Sequence, residues 1–273
     1  MSAIETIKNA FTVLKGNWLR SVGVMLLFFA ATLIPGLVFS LFIHDQVHGG
    51  MLGFNLLFGF VVTSLLYTAN LQFFLRLVDG EAVGFKDLLH PFKDWARILK
   101  GVLWMAFVLF FIMFGMLVLA SVLNGGVMRF TPRNLFFWVL LIPVLLKAAK
   151  YLFFYFLLKE QPQTRVRDLI RDSKDWMQGH LFDFMGLNAL LLLGQFPAIG
   201  LYVRHAFLFE QATMPAPDQW GYYLILNQRL FEQAQWFNGA ATIVGGVIML
   251  VWMPLVYTAW ALFYRNVKQK DTS

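Results

Sequence analysis

Long unbroken apolar runs constrain this chain more than any other feature. Residues 102–123 read VLWMAFVLFFIMFGMLVLASVL, 22 positions without a charge and without the two-residue alternation of a barrel strand. About 20 such residues in helical form cover the roughly 30 Å of hydrocarbon in a bilayer, and a helix satisfies its own backbone groups there. Comparable runs occupy 22–43, 52–75, 101–123, 135–158, 184–203 and 238–263. The expected fold is therefore all-α, a polytopic helical membrane protein with six transmembrane helices in a single domain over residues 1–273. Composition agrees: at 59% hydrophobic and 14% charged residues, a water-soluble chain of this length would carry more apolar surface than it could bury.

Basic residues set the expected orientation, because Lys and Arg accumulate in short cytoplasmic segments. One set of flanks carries 16 of them, and the opposite set only Arg129, Arg133, Arg204 and Arg229. Both termini are expected in the cytoplasm. The net charge of +7 is thereby accounted for by topology, and with no recognisable binding module nucleic acid is not an expected partner. A basic inner ring favours anionic lipid headgroups instead. The absence of cysteine excludes disulfides, thiolate metal sites and cysteine nucleophiles. No cleavable leader is expected, since the first apolar run starts near residue 22 and is long enough to span.

The runs belong to an internal repeat. AFTVLKGNWLRSVGVMLLFF from Ala10, LLHPFKDWARILKGVLWMAF from Leu88 and LIRDSKDWMQGHLFDFMGL from Leu169 each place a Trp (Trp18, Trp95, Trp176) after a Lys and ahead of an apolar run. The exits from the second, fourth and sixth runs also correspond: YTANLQFF from Tyr67, KAAKYLFF from Lys147 and YTAWALFY from Tyr257. Three parallel pseudo-repeats result, about 5–80, 82–160 and 163–270, each an amphipathic helix followed by a transmembrane hairpin. In 163–178 the apolar Val166, Ile170, Trp176 and Met177 alternate with Arg165, Arg167, Arg171 and Lys174, which suits a helix at the headgroup boundary. The three Trp residues are expected in the interfacial belt. The third unit carries an outer insertion at about 204–236, whose GYYLILNQRLFEQAQW could form an amphipathic surface helix, a lid or a partner contact.

Two motifs point to a family. Ser173, Met177 and Gly179 stand as S-x-x-x-M-x-G ahead of Phe184, and Pro254, Ala261, Phe263 and Tyr264 stand as P-x6-A-x-FY. With these the chain resembles the bacterial integral membrane proteins catalogued as domain of unknown function 975. The family has a Tyr directly after the proline, where this chain has Leu255. The resemblance implies a six-span bacterial plasma-membrane protein without an established activity, distantly similar to the membrane domains of some glycerophosphodiester phosphodiesterases. It carries over no catalytic residue and no cofactor.

Chemistry is sparse within the runs. Lys147 and Lys150 lie three apart, on one helical face, inside the fourth run, and no acidic residue falls within any run. Intramembrane ionisable groups mark functional sites by default, so the pair is a tentative ligand-binding site for an anionic headgroup or substrate. The alternative is that they snorkel to the cytoplasmic surface. Asn70 and Gln72 occupy the like positions in the first unit and either line the same cavity or pack helices through their amides. Pro35 and Pro197 are expected to kink the first and fifth spans, and Gly194, Gly200 and Gly245 with Gly246 to mark close helix contacts. His44 and His48, with Asp45 between, have one-turn metal spacing, but in a short outer turn they read as solvated residues, and no metal site is expected. No GxSxG, HExxH or P-loop occurs.

The function expected from these features is non-enzymatic binding or transport of a lipid or other anionic amphiphile. The competing reading is an accessory, immunity-like or scaffold partner of another membrane protein. An intramembrane enzyme would need convergent acid, base or metal groups, which no motif supplies.

Overall fold

Every regular element among the described residues is helical. The computed structural model describes residues 1–42, 49–123, 135–197, 199–201, 203–205 and 220–272. Nine α-helices are used below: α1 Ala3–Leu14, α2 Trp18–Phe42, α3 Gly49–Val78, α4 Trp95–Leu123, α5 Leu135–Ala149, α6 Leu152–Glu160, α7 Val166–Gln178, α8 Leu181–Leu192 and α9 Trp220–Thr272. A 3-10 segment, Phe85–Asp94, leads into α4.

Among the described residues, three stretches are long and apolar enough to cross a membrane: Leu57–Val78, Phe85–Leu119 and Asn238–Lys270. The number becomes five if two bent helix pairs each count as one span: Ala3–Leu14 with Trp18–Thr32, bent by 95°, and Leu181–Gln195 with Ile199–His205, bent by 68°. Pro197 lies in the second bend, where its missing N–H removes a helical hydrogen bond. The run at 135–158 is not one helix, because α5 ends at Ala149 and α6 begins at Leu152. The C-terminal half of the outer insertion does not form a separate surface helix: from Trp220 it is continuous with the last apolar run in the 53-residue α9. No proline occurs between Gly221 and Pro254 to interrupt it. His44, Asp45, His48 and residues 206–219 of the insertion lie outside the described residues.

α1 begins with a reciprocal cap. Ser2 Oγ accepts from the Glu5 N–H at 3.2 Å, and Glu5 Oε2 accepts from the Ser2 N–H at 2.7 Å. Thr6, Ala10 and Leu14 recur every four residues and form its buried stripe, while Glu5, Lys8 and Thr12 stay exposed. The chain then turns at Gly16, whose φ of +85° is a left-handed conformation that a Cβ would strain. This turn lets an amphipathic helix lie at nearly a right angle to the apolar α2 that follows.

The packed core lies where α3, α6 and α9 meet. Phe73, Phe74, Phe153, Phe154, Phe156, Tyr257 and Tyr264 are buried there, with Phe153 and Tyr264 edge to face at 5.1 Å and Phe156 and Tyr264 at 5.0 Å. The exterior is the reverse of a water-soluble protein. On α4, Trp104, Phe107, Phe110, Phe111 and Phe114 are each more than half exposed, which hydrocarbon tolerates and water penalises.

The ends of α3, α6 and α9 are tied by ions. Arg265 grips Asp79 with Nε to Oδ1 at 2.7 Å and Nη2 to Oδ2 at 2.6 Å, and also pairs with Glu160. Lys268 Nζ reaches Glu160 Oε2 at 2.6 Å, and the Tyr264 hydroxyl donates to the same oxygen at 2.5 Å. Lys159 joins Asp79 at 3.4 Å and Glu81 at 2.9 Å. Burial works against the Glu160 charge, but the Lys268 ammonium, the Tyr264 hydroxyl and the Arg265 guanidinium outweigh it and hold the carboxyl below its ordinary range.

Candidate functional site

The feature with the most chemical content is a cleft of about 990 Å³ between α4, α5 and α7. From α4 come Lys100, Leu103, Trp104, Phe107 and Val108, the i, i+3, i+4, i+7, i+8 positions of one helical face. From α7 come Val166 and the one-face series Arg167, Ile170, Arg171 and Lys174. α5 adds Lys147 and the junction after it adds Tyr151. Five of the lining side chains are basic, and none is a carboxylate.

Most of that charge is uncompensated. Arg171 makes only long contacts, 3.6 Å to Asp168 and 3.9 Å to Asp172. Lys100, Lys147, Arg167 and Lys174 form no ion pair among the described residues. A second cleft, about 650 Å³, shares Lys100, Val166 and Arg167 with the first and adds Arg97 and Arg165. Arg97 is held in place by the Thr164 and Gln161 carbonyls, which accept from its Nη2 at 2.6 and 3.2 Å.

The floor of the cleft depends on one hydroxyl. At the α5–α6 junction the Phe154 N–H donates to Ser173 Oγ at 3.0 Å, and Ser173 Oγ donates to the Lys150 carbonyl at 2.9 Å. In an unbroken helix that N–H would reach that carbonyl directly. A buried side chain of α7 is inserted into the ladder, which is a recognised cause of a break. The insertion locks α7 to the junction and so fixes Arg167, Arg171 and Lys174 relative to Lys147. Gly101 brings α4 equally close, since a Cβ there would lie 2.0 Å from the Phe154 ring. Elsewhere Gly194 admits the Trp252 ring, whose Nε1 donates to the Leu191 carbonyl at 2.7 Å.

The residues singled out in the sequence are dispersed by the fold. Lys147 lines the cleft, whereas Lys150, its neighbour on an ideal helix, falls in the junction and is not among the lining residues. Asn70 and Gln72 are buried in the core and face no part of the cleft. The Gln72 amide donates to the Tyr155 carbonyl at 3.4 Å, and Asn70 Nδ2 has no hydrogen-bond partner. Trp18 is half-buried against Phe11, with ring centroids 6.1 Å apart, and Trp176 stacks on Tyr264 at 6.0 Å. Trp95, exposed, opens α4.

Sequence reasoning passed over Lys100, Trp104 and Tyr151 as site residues and read Arg167, Arg171 and Lys174 only as one polar helix face. The available signal was the spacing 167, 171, 174 on a helix that also buries Leu169 and Met177. Among the described residues, no group of three His, Asp or Glu side chains is placed to hold a metal ion. Comparison with family models, curated proteins and solved structures finds no match to this chain.

Proposed function

We propose that this chain is an integral protein of a bacterial plasma membrane, made of six spans in three like-oriented hairpins, that binds an anionic amphiphile in the cleft between α4, α5 and α7. The observation that carries the reading is the lining of that cleft: five cations, no carboxylate and an apolar wall formed by Leu103, Trp104, Phe107 and Val108. Positive charge beside an apolar wall complements a phosphate-bearing headgroup with its chain attached. The bacterial assignment rests on the motif resemblance alone.

Packing supports the three-unit reading. Each amphipathic element lies on the exit helix of the unit before it: the 3-10 segment on α3, α7 on α6, and α1 on α9, which closes the ring. Within that scheme Lys147 stands where the other two exits have Tyr67 and Tyr257. Those tyrosines pack on each other in the core with centroids 6.1 Å apart. The second unit thus opens a basic cleft at a position its counterparts fill with aromatic rings. The excess of basic residues on one side supports cytoplasmic termini and puts the cleft near the inner leaflet.

The test is lipid retention. Full-length protein in nanodiscs of phosphatidylcholine and phosphatidylglycerol, released and weighed by native mass spectrometry, should retain phosphatidylglycerol in preference. Lys147→Gln combined with Lys174→Gln should reduce that preference roughly thirtyfold, at about 1 kcal/mol for each of the two basic residues near the surface. Equal retention of both lipids by the unaltered protein would sink the reading.

A further inference from the structure

We propose that the lipid bound in this cleft carries two phosphate groups on an apolar anchor, an inference that rests on the reading above and specifies its ligand. The argument starts from charge. Lys100, Lys147, Arg167 and Lys174 line one cleft and form no ion pair among the described residues, and Arg171 joins them. Like charges gathered in one cleft repel one another. A single phosphodiester brings one negative charge and leaves most of this repulsion standing. At a membrane boundary, where the effective dielectric is well below that of water, such residual repulsion is costly. Two phosphates bring two or three charges and offset more of the cluster.

The second line is shape. Lys147 and Lys174 line only the larger cleft, whereas Lys100 and Arg167 line both. With Arg171, three cations therefore line only the larger cleft, and two stand at its junction with the smaller. Arg97 and Arg165 extend the positive surface beyond the junction. This arrangement accommodates two phosphates, one at each group of cations, and gives a lone phosphate no reason to reach the second.

The anchor has its own track. Trp104 and Phe107, which wall the cleft, stack with centroids 6.3 Å apart. Phe107 continues to Phe111 at 4.6 Å, and Phe110 to Phe114 at 6.1 Å. All are more than half exposed along α4. A ridge of rings leading away from a basic cleft provides contact for an acyl or prenyl chain.

Two lipid chemistries share the feature: a prenyl diphosphate and a phospholipid dimer with two phosphodiesters. The experiment uses full-length protein in phosphatidylcholine nanodiscs doped in turn with geranylgeranyl diphosphate, geranylgeranyl monophosphate, cardiolipin or phosphatidylglycerol, read by native mass spectrometry. At least one two-phosphate lipid should be retained roughly tenfold or more over its one-phosphate counterpart, and the pair that shows the larger ratio identifies the chemistry. Excess inorganic diphosphate should displace little of the bound lipid. Lys100→Gln with Arg167→Gln should collapse the ratio toward one. Ratios near one in both pairs for the unaltered protein overturn the two-phosphate inference and leave the anionic-lipid reading intact. Loss of all preference over phosphatidylcholine removes both. Complete displacement by inorganic diphosphate overturns the lipid anchor. If the double variant does not fold, the ratios of the unaltered protein still decide.

Discussion

Ser173 Oγ stands between the Phe154 N–H and the Lys150 carbonyl, so one hydroxyl both permits the α5–α6 break and attaches α7 to it. Its removal takes this donor from the Lys150 carbonyl and leaves the Phe154 N–H to its 3.2 Å bond with the Tyr151 carbonyl. Ser173→Ala should therefore lower stability by about 1–3 kcal/mol, seen as a lower midpoint in thermal unfolding in detergent. It should also weaken phosphatidylglycerol retention although Ser173 does not line the cleft. An unchanged midpoint would mean that the helix closes its own ladder and the bridge is incidental. The two lysines show the consequence for the site. On a regular helix Lys147 and Lys150 share a face; with the break after Ala149, only Lys147 reaches the cleft.

At the scale of elements, α3, α6 and α9 converge in aromatic rings and end in a shared set of charges. Glu160 is the hinge of that set, contacted by Tyr264, Arg265 and Lys268 from α9. Its carboxyl is held below its ordinary value of 4.5 once folded. A depressed carboxylate contributes stability that is fully present above the unfolded value and is lost as pH falls through the lower folded one. The unfolding midpoint of the intact protein should accordingly fall as pH drops below about 4.5. In Glu160→Gln that acid limb should be shallower, and the variant should already be less stable at neutral pH because Arg265 and Lys268 lose a partner. Parallel pH profiles for the two proteins would show that the network does not couple the helix ends. The same convergence explains the buried Asn70 and Gln72, which belong to the α3 face that packs inward.

For the whole molecule, the proposed orientation can be tested directly, because the chain has no cysteine to remove. A membrane-impermeant maleimide applied to spheroplasts should label Gln235→Cys and not Gln163→Cys, with both labelled after lysis. The reverse pattern would invert the topology and place the cleft at the outer leaflet. Helical class, long apolar stretches, the amphipathic character of 166–178 and the close approach at Gly194 were all legible in the chain. They depend on local periodicity and on a bilayer's demand that backbone groups be satisfied within each segment. The cleft was not legible, because its cations come from positions 100, 147, 167 and 174, and no spacing rule connects residues on three helices. The sequence by itself determined a helical, apolar chain with its basic residues concentrated between the apolar runs. Only the tertiary structure decided that an α7 hydroxyl breaks the fourth run, turns Lys150 aside and sets Lys147 among uncompensated cations, since such contacts exist only once separate helices pack.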